Sequence, residues 1–160
     1  MTAIEVFQGS DGAVTRAYYA ALEGRGKLGL VAMNLFRAQK CSTRAKHYRG
    51  GIRGVGSYKD MAYERKTWSM GEAAKILMKH GDELGIRFGW KDDPGQAYHS
   101  WVLYVDLPGI GQVSFHSAAR GEGPDYPGDW DGKRLSEARI IQFCDQVMSE
   151  GAAEQEEMFA

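Results

Sequence analysis

Hydrophobic residues recur along this chain in two rhythms, one of three and four residues and one of two, and their order predicts an α+β domain. The first helical rhythm is Val14, Ala17, Tyr18, Ala21 and Leu22, opened by Ser10-Asp11-Gly12 and stopped near Gly24. Leu28, Val31, Ala32, Leu35 and Phe36 repeat the spacing, and no breaker follows before Tyr48, so a second helix is expected over residues 28–47. Ser69-Met70-Gly71-Glu72 has the form of a capping box. It predicts that a third helix starts there, carries Met70, Ala73, Ala74, Leu77 and Leu84 inward, and ends at Gly85. Ser136 predicts the cap of a last helix with Ile140, Ile141, Cys144, Val147 and Met148 buried, ended by Gly151.

The rhythm of two lies between the third and fourth helices. Residues 86–90 suit a short strand and residues 91–95 a turn. Residues 98–107 and 111–117 are β-rich runs joined by Pro108-Gly109-Ile110-Gly111, the signature of an antiparallel hairpin. Along its first strand Trp101, Leu103, Val105 and Leu107 face one way, and Ser100, Val102, Tyr104 and Asp106 the other. On its second strand Val113 and Phe115 alternate with Ser114 and His116. The expected architecture is about four helices packed on a small antiparallel sheet with a central β-hairpin. A single domain over residues 1–151 would be followed by an acidic, frayed tail at 152–160.

Composition narrows the class without naming a reaction. No apolar run approaches the roughly 18 residues that span a membrane, and the N-terminal residues lack a basic stretch followed by an apolar one, so the cytoplasm is the expected compartment. Cys41 and Cys144 are too few for a disulfide scaffold, lack zinc-site spacing, and read as reduced thiols.

Charge changes the picture more, because a formal net charge of −1 conceals two opposed blocks. Residues 37–66 hold nine Lys or Arg against Asp60 and Glu64, whereas residues 122–160 hold ten acids against Lys133, Arg134 and Arg139. A basic block concentrates anions, and an acidic block suits a basic protein surface; mutual neutralisation across the fold is the ordinary alternative. Within the basic block Arg37, Lys40, Arg44 and His47 fall three or four apart and form one helical stripe. Such a stripe can neutralise successive phosphates, and it also describes a plain solvated helix face.

Residues 49–58, RGGIRGVGSY, add Arg49 and Arg53 on a glycine-rich joint. It lacks the Gly-Lys-Ser/Thr of a phosphate-binding P-loop and the glycine order of a dinucleotide fingerprint. Gly51-Ile52-Arg53-Gly54 satisfies the bare GxxG pattern of KH modules, a pattern too short to outweigh a simple basic loop. Tyr58, Tyr63 and Trp68, interleaved with Lys59, Arg65 and Lys66, suit base stacking, although aromatics at such positions are more often core.

Candidate chemistry concentrates around the hairpin. If the Ser114/His116 face is open, His116 can act as an acid or base near neutral pH, with Arg120 holding an anion; a hydrogen-bonded structural histidine is the alternative. A serine nucleophile is poorly supported, because no GxSxG elbow exists and Ser114, His116 and Ser117 are too close in sequence to face one another. His99, Asp106, His116, Asp125, Asp129 and Asp131 are potential metal ligands, and Asp125 and Asp129 on a polar loop suit Mg²⁺. The same loop also reads as an ordered turn-rich segment, so the expectation is no cofactor, with Mg²⁺ as the alternative.

The segments LVAMNLFRAQKCSTRAKHYRG, TWSMGEAAKILMKHGDELGIRFGW and YHSWVLYVDLPGIGQVSFHSAARGEGPDYPGDWDG resemble those of a small family of bacterial and phage-associated proteins with no assigned activity. The resemblance covers most of the chain and carries over no functional residue. It implies a class only: small proteins of this kind act by binding, either sequestering a nucleotide signal or blocking a host protein.

Three readings follow. The leading one is a non-enzymatic binding protein that holds nucleic acid or a nucleotide through Arg37, Lys40, Arg44, His47, Arg49, Arg53 and Arg120, in the manner of a phage or mobile-element inhibitor of host defence. The second is a protein–protein inhibitor acting on a host protein through the acidic surface. The third is a phosphodiester-type enzyme using His116 and a metal at Asp125 and Asp129. An open sheet face would also suit a homo-oligomer, and none of the readings involves a membrane.

Overall fold

The computed structural model describes residues 2–10, 12–47, 58–91, 101–116 and 132–159. The chain forms α1 (Ala3–Gln8), α2 (Ala13–Glu23), α3 (Gly26–His47), α4 (Tyr58–Leu84), β1 (Arg87–Lys91), β2 (Val102–Leu107), β3 (Gly111–His116) and α5 (Gly132–Phe159). The strands form one antiparallel sheet in the order β1-β2-β3. This is the α+β arrangement expected from the two rhythms, with five helices among the described residues where about four were expected.

The additional helix is α1, which is held by a capping box: Thr2 Oγ1 accepts from Glu5 N at 3.4 Å, and the Glu5 carboxylate accepts from Thr2 N at 3.2 Å. Thr2-Ala3-Ile4-Glu5 was therefore a legible start signal. The opposite correction applies to Ser69, which lies buried inside α4, more than two turns after the helix begins. Its hydroxyl donates to the Arg65 carbonyl at 2.8 Å, the back-bond open to a mid-helix serine, and caps nothing. Ser136 is likewise buried within α5, which starts at Gly132 and runs through Gly151 to Phe159.

α3 is the central strut. It packs along α4 on one side and touches α5 and α2 on others. Phe36, fully buried, receives the rings of Phe7 edge-on at 5.5 Å, Tyr18 at 5.3 Å and Tyr19 at 6.0 Å, so α1 and α2 are joined to the strut by one aromatic cluster. In α2 Tyr18 and Leu22 of the expected rhythm are buried, whereas Val14 and Ala17 are exposed and Thr15 completes the buried stripe.

The hairpin register pairs Leu103 with Phe115, Val105 with Val113 and Leu107 with Gly111. These apolar residues belong to the common core, with β3 against α5 and β1 against α4. The two-residue alternation thus places the helices on one sheet face, as a strand with one buried side requires. Gly109 at φ 74 and Gly111 at φ 139 supply the backbone conformations of the turn. Among the described residues, no helix is long and apolar enough to cross a membrane.

Both cysteines are buried and neither is in a disulfide. Burial, then the nearby Asp145 carboxylate, pushes the Cys144 thiol well above its ordinary value of 9.0. Burial likewise raises the Tyr18 phenol above 10.0, helped by Cys144 and Asp145, and its hydroxyl has no hydrogen-bond partner among the described residues. Above about pH 9 the unfolded chain therefore loses protons that the folded chain keeps, and stability falls as pH rises. The unfolding free energy measured in urea should decline by roughly 1.4 kcal/mol per pH unit for each group fully engaged. Cys144→Ala should delay the onset of that decline towards the tyrosine range, and a flat profile in the wild type would contradict the assignment.

Candidate functional site: the basic end of the α3–α4 hairpin

α3 and α4 run antiparallel, with Lys27 Nζ meeting Glu83 Oε2 at 3.1 Å near one end and Arg37 Nε meeting Ser69 Oγ at 2.8 Å midway. Helical continuity then carries Arg44 and Lys46 on α3, and Lys59, Arg65 and Lys66 on α4, towards the same end. Among the described residues, the helix–helix packing therefore places Arg44 of α3 and Arg65 of α4 on the same half of the hairpin.

Its members do not share one role. Lys40 is 5% exposed, and its ammonium donates to the carbonyls of Val6 at 2.6 Å and Gly9 at 2.9 Å. The stripe reading is corrected at this position, because Lys40 closes the C-terminal end of α1 from the inside of the fold. Lys66 is buried as well. Arg44 is half-buried, and Arg65 is exposed on α4. His47 ends α3, with only its backbone described, and Arg49, Arg53 and Arg120 lie outside the described residues.

Arg37 is half-buried and held from several sides. Its Nε donates to Ser69 Oγ and its Nη2 to Asn34 Oδ1, each at 2.8 Å, while Asn34 donates onward to the Leu30 carbonyl at 2.9 Å. The guanidinium carbon lies 4.6 Å from the centroid of the Trp68 ring and 5.9 Å from that of Tyr19. Trp68 itself is 58% exposed, which overturns the core reading of that residue and leaves a large ring in solvent beside fixed cations. The periodic pattern gave one signal of this: Trp68 falls outside the Met70, Ala73, Ala74, Leu77 stripe.

No protein-family model, curated protein or solved structure matches this chain.

The second candidate region is the sheet face turned away from the helices. The register aligns Arg87, Asp106 and Gln112 in one row, Gly89, Tyr104 and Ser114 in the next, and Lys91, Val102 and His116 in the third. Tyr104, Asp106, Ser114 and His116 are half-buried, and Val102 is fully buried although it stands apart from the main core cluster. Partial burial raises the Tyr104 phenol above its ordinary value. His116 is thus set beside Ser114 on a polar face. No group of three or more His, Cys, Asp or Glu suited to a metal is found among the described residues, and Asp125 and Asp129 lie outside them.

A third feature is a shallow groove of about 700 Å³ between the hairpin turn, at Pro108 and Gly109, and α5, at Ile141, Asp145 and Glu150. Asp145 already accepts from Ala3 N at 3.3 Å, so part of its acidic lining fastens α1 to α5.

Proposed function

We propose that this chain is a non-enzymatic binding protein that holds an anionic ligand, nucleic acid or a nucleotide, at the basic end of the α3–α4 hairpin. One observation supports the reading: the antiparallel packing sets Arg44 of α3 and Arg65 of α4 on the half of the hairpin that runs from the Arg37–Ser69 bond towards the residues that link the two helices. The link contributes Arg49 and Arg53 by sequence, so a flexible polyanion would meet cations from three consecutive segments. Guanidinium groups suit phosphate better than solvated lysines, because their planar fork gives up less freedom for each hydrogen bond formed.

Binding of a labelled 20-nucleotide strand, followed by anisotropy over a range of salt, tests this. Affinity should fall log-linearly with salt, and the combined Arg44→Glu and Arg53→Glu change should weaken it at least tenfold, lowering the slope by about 0.7 for each phosphate that is no longer neutralised. Binding that ignores both salt and these substitutions would remove the proposal.

A further inference from the structure

We infer that Trp68 is a stacking platform for an unpaired nucleobase, so that the ligand of the basic end is single-stranded nucleic acid; this rests on the function proposed above. Phe36, buried in the core, contacts Tyr19 at 6.0 Å. The Arg37 guanidinium follows, 5.9 Å from the Tyr19 ring and 4.6 Å from the Trp68 ring. Aromatic, cation and aromatic groups therefore form a short ladder that begins in the core and ends at the surface. Its last rung, Trp68, is 58% exposed.

Three features make this rung a binding element rather than an accidental surface tryptophan. Arg37 is fixed by Ser69 and Asn34, so the indole rests on a braced support and ordering it on binding costs little. Arg65 lies three residues before Trp68, and Met61 seven before and 43% exposed, so cation, thioether and indole share one stripe of α4. The cations at this end track a phosphate backbone, while an open aromatic face takes a base from the same strand, the two elements by which proteins bind single strands. A base inside a duplex is already stacked on both faces, so the platform selects an unpaired one.

The test compares labelled dT20 with an abasic strand of the same length and charge, for the wild type, Trp68→Ala, Trp68→Phe and Arg65→Glu. The wild type should prefer dT20 by about tenfold or more, and Trp68→Ala should abolish that preference while leaving the abasic affinity and the salt slope unchanged. Trp68→Phe should restore part of it, and Arg65→Glu should weaken both strands alike. Equal wild-type affinity for the two strands, or a Trp68→Ala variant that keeps the preference, would overturn the stacking role and leave the charge-based function standing. Absence of salt-sensitive binding to either strand would overturn both. A dTMP affinity equal to that of dT20 would overturn the single-strand assignment in favour of a free nucleotide.

Discussion

Lys40→Ala should cost this protein about 3 kcal/mol of stability, far more than removing a surface cation. The carbonyls at the end of a helix have no partner within it, and α1 carries no basic residue in its last turn. Lys40 supplies the missing donor from α3, reaching the carbonyls of Val6 and Gly9. A hydrogen bond from a charged donor contributes about 1.5–3 kcal/mol, and truncation also removes a buried stem and leaves a void. With six residues, α1 is too short to persist alone, so its attachments decide whether it is formed. Those attachments include Lys40, the Asp145 carboxylate at the Ala3 amide, and the Phe7–Phe36 ring contact.

Urea unfolding should accordingly show a lowered midpoint, and hydrogen exchange of the α1 amides should accelerate beyond the global change. Lys40→Met, which keeps most of the stem and lacks the ammonium, should recover only the packing part. If Lys40 acted chiefly as a ligand contact, Lys40→Ala would leave the unfolding free energy within about 0.5 kcal/mol of the wild type. That result would return Lys40 to the binding stripe.

Lys40 also shows why the site was less legible than the fold. Periodicity reports which side chains share a helix face, and it identified the α3 stripe of Val31, Ala32, Leu35 and Phe36, all buried. It does not report what stands opposite that face. Arg37, Lys40 and Arg44 looked equivalent in sequence, yet the packing of α1 engaged Lys40, and the packing of α2 and α4 set Arg37 against the Tyr19 and Trp68 rings. Trp68 was obscured for the same reason. An aromatic residue interleaved with cations is still more often core than surface, and it is the rotation of α4, fixed by Met70, Ala73 and Leu77, that turns Trp68 outward.

Local start and stop signals had uneven success on equally physical grounds. Gly85 ended α4 as expected, with φ 67 and the Ile86 amide donating back to the Gly81 carbonyl at 3.0 Å. Ser69-Met70-Gly71-Glu72 did not begin it, because residues 58–68 are already helical and occupy the space along α3, where Ser69 accepts from Arg37. A capping motif fixes a helix end only if no longer run of tertiary contacts extends the helix past it. Thr2-Ala3-Ile4-Glu5 did cap, with both reciprocal hydrogen bonds of the box made.

Gly29→Ala should be destabilising by about 3 kcal/mol, although helix propensity alone forecasts a gain of about 1 kcal/mol. Gly29 sits in the first turn of α3, where a new Cβ would fall 1.8 Å from the Leu22 carbonyl oxygen, 2.8 Å from Arg25 Cβ and 3.0 Å from the Leu22 carbonyl carbon. The first and last obstacles are backbone atoms and cannot rotate away. Relief would require α2 and α3 to separate at a corner that is tightly determined. Leu22 is fully buried, Gly24 donates to the Ala20 carbonyl, Gly26 takes φ 79, and Arg25 reaches across to the Met148 carbonyl of α5 at 3.0 Å. Opening the corner would therefore strain the α2–α3 and α2–α5 packing together and disturb the Tyr18 and Tyr19 rings packed on Phe36. Because Tyr19 underlies the Arg37–Trp68 stack, the substitution should also lower the preference for dT20 over the abasic strand, at temperatures where the protein is still folded. A Gly29→Ala variant at least as stable as the wild type in urea would show that the two helices meet less closely than this geometry requires.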